Sequence, residues 1–401
     1  MNLLLRSRGA VLLLMLNILL IFMGIGLVVP VMPKYMTELG ISGSVVGLLV
    51  AAFSLTQLLF SPYAGRLSDK IGRKKMIVAG MLVFALSEWL FGIANSIPSL
   101  FAARFLGGIG AALIMPAVMA YTADVTTDEE RAKGMGFINA AITTGFIIGP
   151  GIGGYLAEFG IRVPFYAAAV AGVVAAAVTA LLLPESSTAA VPSASREKTA
   201  QNKDSLLMQL RMSYREPFFP ALILVFVLSF GLANYETVFG LFVDHKFGFS
   251  PKDIAFILTF GSISGAVVQA TIFGWILNRF GENRVIAICL LFSGAFILLT
   301  LFVGTFWLIA AVTFIVFLSI DILRPAIGVQ MSRLAEERQG YVAGLNSAFT
   351  SLGNIVGPVA AGVLFDVDLN APYMLAALAL IAGFAMAVRL STRTKPGRAA
   401  G

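Results

Sequence analysis

The chain has 401 residues, 58% of them hydrophobic and only 12% charged. Soluble domains carry roughly 25% charged residues, so a water-soluble globule is excluded and lipid must solvate much of the surface. The net charge of +7 would point to nucleic acid in a soluble protein, but here the placement of the cations accounts for it and no nucleic-acid partner is expected.

One cysteine (Cys289) and one histidine (His245) exclude an internal disulfide, a cysteine-rich metal site and histidine-based metal or triad chemistry. No Gly-Lys dipeptide, Gly-x-Ser-x-Gly or His-Glu-x-x-His stretch occurs. The expectation is therefore no metal, no cofactor, no enzymatic activity and no direct use of ATP.

The N-terminal MNLLLRSRGA is a basic lead without a small-residue cleavage site, which reads as an uncleaved first span. Twelve apolar runs follow, near 9–32, 44–65, 75–95, 98–122, 134–157, 163–183, 218–243, 252–276, 284–303, 306–331, 341–365 and 371–390. About 20 apolar residues cross the ~30 Å hydrocarbon core as a helix, and helices are favoured because lipid offers backbone groups no partners. The fold expected is an all-α membrane protein of twelve transmembrane helices in two pseudo-symmetric six-helix bundles. With the N-terminus cytoplasmic, 22 cations fall inside, 4 outside (Lys34, Arg162, Lys246, Lys252) and 2 within spans (Arg104, Arg324). That bias predicts a multi-pass protein of the inner (cytoplasmic) membrane with both termini cytoplasmic.

In span 1, Phe22, Ile25 and Val29 share a face. After span 2 comes GRLSDKIGRKK, Gly65 to Lys75, with five cations and one carboxylate. Gly65 and Gly72 are read as allowing a tight reversal, and Asp69 as pairing with Arg73 in a latch that holds the two halves on the cytoplasmic side. A degraded copy, GWILNRFGENR, stands 209 residues later at Gly274 to Arg284, with Asn278 in place of Asp69. Its latch is expected to be weaker.

Charges inside spans are functional candidates by default. Span 3 carries Glu88, the weakest case, and span 4 carries Arg104, with Met115 three turns on. In span 5, Thr143 and Phe146 share a face. There Gly145, Gly149, Pro150, Gly151, Gly153 and Gly154 crowd into ten residues, echoed 208 residues later by Gly353 to Gly362 with Gly357-Pro358. Proline kinks a helix and glycines admit a close neighbour, so the pair reads as a symmetric bending or packing device.

The repeats and a Ser-, Ala- and charge-rich stretch after span 6 divide the chain into a bundle at 1–184, a cytoplasmic linker with a short amphipathic helix at 185–216, and a second bundle with a short tail at 217–401. In the second bundle Glu236 in span 7 has no cation within a helical turn, with Phe239 at i+3. An isolated carboxyl in a medium that disfavours charge is a candidate proton carrier. In span 10, Asp321 and Arg324 are i and i+3, on one face, with Phe317 one turn away. The aromatic, aliphatic and Met faces around these charges suit lipophilic cations. A single chain holding both halves is expected to be a monomer.

The turn after span 2, Arg104 with Gly107, Gly108 and Gly110, and the Gly-Pro stretch of span 5 resemble the signatures of the major facilitator superfamily, in its twelve-span drug:proton antiporter class. Closer still, NILLIFMGIGLVVPVMP, SFGLANYET, DILRPAI and GLNSAFTSLGNIVGP are similar to the NorA and Bmr group of multidrug exporters. The resemblance implies export of unrelated lipophilic, often cationic compounds (dyes, quaternary ammonium compounds, fluoroquinolones), driven by the proton gradient through alternating access. It implies proton coupling at Glu236 and Asp321, with Arg324 and Arg104 as intramembrane partners. It also implies a cavity wall of Phe22, Ile25, Val29, Gln57, Met115, Thr143, Phe146, Glu236, Phe239, Leu258, Phe317, Asp321 and Asn354. A proton-coupled symporter or an exporter of one specific metabolite shares fold and carboxylates but predicts a more polar wall. A non-transporting sensor of the same fold has no need of carboxylates along a pathway.

Overall fold

The structure is a computed structural model that describes residues 2–185, 213–214, 216–335 and 339–393. Most of the expected linker helix and of the C-terminal tail lies outside the described residues. Among the described residues the regular elements are helices, and twelve are long and apolar enough to cross a membrane. Spans 1 to 6 are Gly9–Glu38, Gly43–Ile71, Arg73–Ile93, Ile97–Val125, Lys133–Phe159 and Val163–Leu182. Spans 7 to 12 are Phe219–Phe247, Pro251–Thr271, Glu282–Leu299, Phe306–Leu334, Tyr341–Val367 and Ala371–Leu390.

Several helices outrun their apolar stretch. That of span 2 stays helical to Ile71, through most of the basic segment, because nothing there breaks it. The first break is Gly72, at φ +108°, and the next helix begins at Arg73. A one-residue reversal at that angle calls for glycine. Gly65 lies inside the helix, where an added Cβ would meet nothing nearer than Pro116 Cβ at 3.8 Å. The expected part of Gly65 in the reversal is therefore corrected: Gly72 makes the turn alone. In the second copy Gly281, at φ +77°, separates the short helix Phe273–Phe280 from span 9.

The chain divides into two compact units: unit 1 is Met1–Ile41, Leu49–Lys203 and Val243–Thr259, and unit 2 is Ser42–Leu48, Asp204–Phe242 and Phe260–Gly401. Two segments thus group otherwise than a division at the linker alone would place them. Within unit 1, Gly154 packs against Ala255 and the Pro251 carbonyl, and Glu158 pairs with Lys252. Within unit 2, Gly47 and Gly362 sit against Pro358 and Gly43, and Asp366 accepts hydrogen bonds from the backbone N–H groups of Gly43 (2.7 Å) and Ser44 (2.9 Å). A carboxylate receiving the orphan N–H groups of a helix start is a stabilising cap. Glu158 and Asp366 stand 208 residues apart, at matching positions of the repeat.

The glycine-rich stretch of span 5 is a packing surface on a helix that continues from Asp128 to Leu156. A Cβ at Gly145 would lie 2.8 Å from the Leu19 carbonyl oxygen, and one at Gly149 would lie 2.6 Å from that of Met23. Gly153 meets the Leu27 carbonyl, and Pro150 Cδ lies 2.9 Å from where a Cβ on Gly26 would be. Backbone meets backbone along a stripe of small residues, the arrangement that lets helices associate in lipid. Unit 2 repeats it: Gly353 and Gly357 sit against Ser229 and the Phe230 carbonyl of span 7. Of the two readings offered by the Gly-Pro echo, packing is the one the unbroken helix supports.

Candidate functional site

Unit 2 holds the candidate carboxylates. Tyr235, Phe239, Phe242 and Tyr373 make an aromatic core with ring centroids 4.5–5.4 Å apart, and the Tyr235 hydroxyl lies 3.0 Å from Thr313 Oγ1. That core fixes the rotation of span 7. Tyr235 and Phe239 are turned inward, and Glu236 is left exposed. Phe239, expected beside Glu236 on a cavity face, is 1% exposed and belongs to the core. A step of three residues rotates a side chain about 60° around a helix, enough to turn it from an open face into packing.

Asp321 sits half-buried on span 10, and Arg324, three residues on, is exposed. Among the described residues no ion pair joins them. Arg324 and Asp321 are the charges whose fields act on Glu236. Among the described residues the three groups thus form an electrostatic set without a closed salt bridge.

Span 8 makes room for this set. A Cβ at Gly261 would lie 3.0 Å from the Phe317 ring. One at Gly265 would overlap Asp321 Oδ2 and lie 2.6 Å from its Cγ and 2.9 Å from its Cβ. Phe317 and Asp321 are one turn apart on span 10, and Gly261 and Gly265 one turn apart on span 8. The carboxylate therefore rests on bare helix backbone. The sequence reading passed over both glycines, although a small residue every fourth position on a span is the signal that marks such a face. Asn354 is half-buried on span 11.

In unit 1, Phe22 and Phe146 meet edge to face at 5.1 Å. Phe22, Ile25 and Met115 pack against the apolar core formed by Leu14, Ile18, Phe84, Ile114 and Tyr121. Val29, Thr143 and Phe146 are exposed, Gln57 is half-buried, and Leu258 is buried at 8%. The expected wall residues are thus a mixture of open and packed positions.

The basic turn closes on itself within unit 1. Arg73 pairs with Asp69 and also with Asp124 at the end of span 4, Nε to Oδ2 at 3.1 Å. Glu185 reaches the space above Gly72. Asp124 and Glu185 were not anticipated. In unit 2 the equivalent positions are Glu282 and Arg333, each 209 residues downstream of Arg73 and Asp124. They pair at 2.6 Å, with the signs reversed. Asn283 and Gln330 add a hydrogen bond at 2.6 Å beside them. Loss of the acid at Asn278 is thus accompanied by a charge-swapped brace.

Sequence and fold both find counterparts among known proteins. A family model described as Major Facilitator Superfamily matches residues 14–269 and 221–401. The chain belongs to the major facilitator superfamily. This facilitator is 46% identical over 370 residues to multidrug resistance protein 2 of Bacillus subtilis, covering 92% of each chain. It is 41% identical over 368 residues to the quinolone resistance protein NorA of Staphylococcus aureus, again covering 92% of each. Among solved structures, a bacterial homolog to the human lysosomal transporter Spinster superposes with a TM-score of 0.75 at 15% identity, over 96% of each chain. The human organic anion transporter MFSD10 superposes with a TM-score of 0.65 at 19% identity, over 94% of this chain and 98% of that one. Those two likenesses carry the fold alone. The facilitator is a multi-pass cell-membrane transporter and not an enzyme.

Proposed function

We propose that this facilitator is a proton-coupled multidrug exporter. The observation that carries the reading is its likeness, over 92–93% of the chain, to bacterial relatives named for multidrug and quinolone resistance. Its substrates are small lipophilic compounds, often cationic: dyes, quaternary ammonium compounds and fluoroquinolones.

Glu236 and Asp321 carry the coupling. Each is a carboxylate on an apolar helix with no closed ion pair among the described residues, so a proton and an organic cation compete for it. Facing out, the carboxylates meet the more acidic side and take up protons. Facing in, a cation arriving from the cytoplasm or inner leaflet favours their ionised form, and the protons leave inward. One charge crossing the membrane potential supplies about 2.3 kcal/mol per 100 mV. Arg324 keeps the local field positive enough to release the proton, and Phe22 and Phe146 offer apolar contact, whereas Phe317, 7% exposed, is packed into the core. The two six-helix bundles alternate access, with both termini cytoplasmic, and one chain suffices. The Asp69–Arg73–Asp124 cluster serves as the conformational latch.

Expression in an efflux-deficient bacterium tests this. Raised resistance to ethidium and to quaternary ammonium compounds, lost when a protonophore collapses the proton gradient, is the expected result. Unchanged resistance with the protein demonstrably in the membrane would overturn the reading.

A further inference from the structure

Unit 1 contains a buried acid that this mechanism does not use. Glu88 lies on span 3 and is 4% exposed. Spans 3 and 4 are held in close register by glycines. A Cβ at Gly110 would come within 2.9 Å of the Phe84 nitrogen, and one at Gly107 within 3.0 Å of Ser87 Oγ. One turn outward from Gly107, the Arg104 guanidinium lies 4.4 Å over the ring of Phe91. Phe91 is itself three residues from Glu88 and therefore near it on span 3.

The Phe91 platform is fixed. Its ring stacks on Phe165 at 5.1 Å, and its carbonyl accepts the Tyr35 hydroxyl at 2.8 Å. Glu88 Oε2 and Arg104 Nε are both buried without a hydrogen-bond partner among the described residues.

The other polar groups around this site are engaged elsewhere. Spans 4 and 6 pack against span 3. From span 6 and the loop before it, Tyr166 and Arg162 donate to the Gly92 carbonyl, and Arg162 also to Asn95 Oδ1. Tyr35 at the end of span 1 donates to the carbonyls of Phe91 and Ala94. Arg104 is the charge whose field acts on Glu88.

A buried carboxylate without a donor costs several kcal/mol, whereas the neutral acid costs far less. Arginine stays charged throughout. The site therefore has two self-consistent states. In one, Glu88 is neutral and Arg104 rests on Phe91. In the other, Glu88 is ionised and takes the guanidinium as its partner. We propose that Glu88 is a second proton-binding site, confined to unit 1, with Arg104 as the counter-charge that moves between the Phe91 ring and the ionised acid. Water delivers and removes the proton; no other co-reactant is needed. Only the use of this proton in drug export rests on the preceding proposal.

The test needs no substrate, so its failure and that of the exporter reading are separate. Infrared difference spectra of the full-length protein in lipid nanodiscs, taken from acid to alkaline pH, report the C=O stretch of protonated carboxyl groups. The expected result is a band that is lost as the pH rises and is missing in Glu88→Gln at every pH. A band at this position that persists unchanged across the range, or spectra identical in wild type and Glu88→Gln, would overturn the proposal. Should Glu88→Gln fail to fold, Arg104→Lys and Arg104→Gln carry the test. Arg104→Gln should shift the pH at which the band is lost by about one unit or more, with a smaller shift for Arg104→Lys. The absence of any shift would equally overturn the pairing.

Discussion

Gly265 of span 8 and Asp321 of span 10 share one volume: a Cβ on the glycine would overlap the Asp321 carboxylate and lie 2.9 Å from its Cβ. Because the conflict extends to a backbone-attached atom, rotation of the carboxylate alone does not relieve it. Gly265→Ala should therefore displace Asp321 and impair handling of cationic substrates by about tenfold or more, consistent with an overpacking cost of about 1–3 kcal/mol. Alanine stabilises an ordinary helix interior by roughly 0.5–1 kcal/mol relative to glycine, so lost transport without lost thermal stability would mark the effect as one on the site. Gly261→Ala meets the Phe317 ring at 3.0 Å and should do less, because the ring can shift without moving a charge. Equal kinetics for wild type and Gly265→Ala would contradict this account.

The paired braces differ in burial. Arg73 and Asp124 are 12% and 14% exposed, whereas Arg333 is 66% exposed against 19% for Glu282. Removing one partner of a buried pair costs about 3–5 kcal/mol, but exposed pairs contribute about 0–1 kcal/mol. Arg73→Ala should lower the thermal midpoint clearly more than Arg333→Ala. Exchanging the signs of the second pair (Glu282→Arg with Arg333→Glu) should preserve stability and activity, since the first pair already works in that polarity. Failure of the double exchange with each single substitution tolerated would argue against a simple brace.

The basic turn distinguishes its two glycines. Gly65→Ala enters open helix and should be neutral or slightly stabilising. Gly72→Ala forces a side chain into a positive-φ, extended backbone (φ +108°, ψ +144°) at a cost of about 1–3 kcal/mol and brings a methyl group against Glu185. Melting temperatures of the two variants in detergent decide the point, and similar values would remove the assignment of the reversal to Gly72.

Much of this architecture was legible in the chain because membrane physics writes it in plain terms. Long apolar runs can only be helices in lipid, and the 208- and 209-residue echoes exposed the duplication. What escaped depends on three dimensions. The extent of a helix through polar residues cannot be read from hydropathy, so Gly65 was placed in the turn. The reversed signs at Arg73 and Glu282 look like a mismatch until their partners Asp124 and Arg333 are seen to reverse as well. Phe239 shares a helical neighbourhood with Glu236, but the aromatic core of Tyr235 and Tyr373 sets which of them is open. Gly265 carries no chemistry of its own, and its meaning lies in a carboxylate on another span.

The central claim is that proton entry through Glu236 and Asp321 drives the export of organic cations. The most direct measurement is ethidium movement by the purified chain in liposomes under an imposed pH gradient, for wild type and for Glu236→Gln. The account predicts gradient-driven uphill movement in the wild type. In the variant it predicts at most downhill movement that no longer responds to the gradient. Uphill, gradient-driven movement by Glu236→Gln at the wild-type rate would contradict the account.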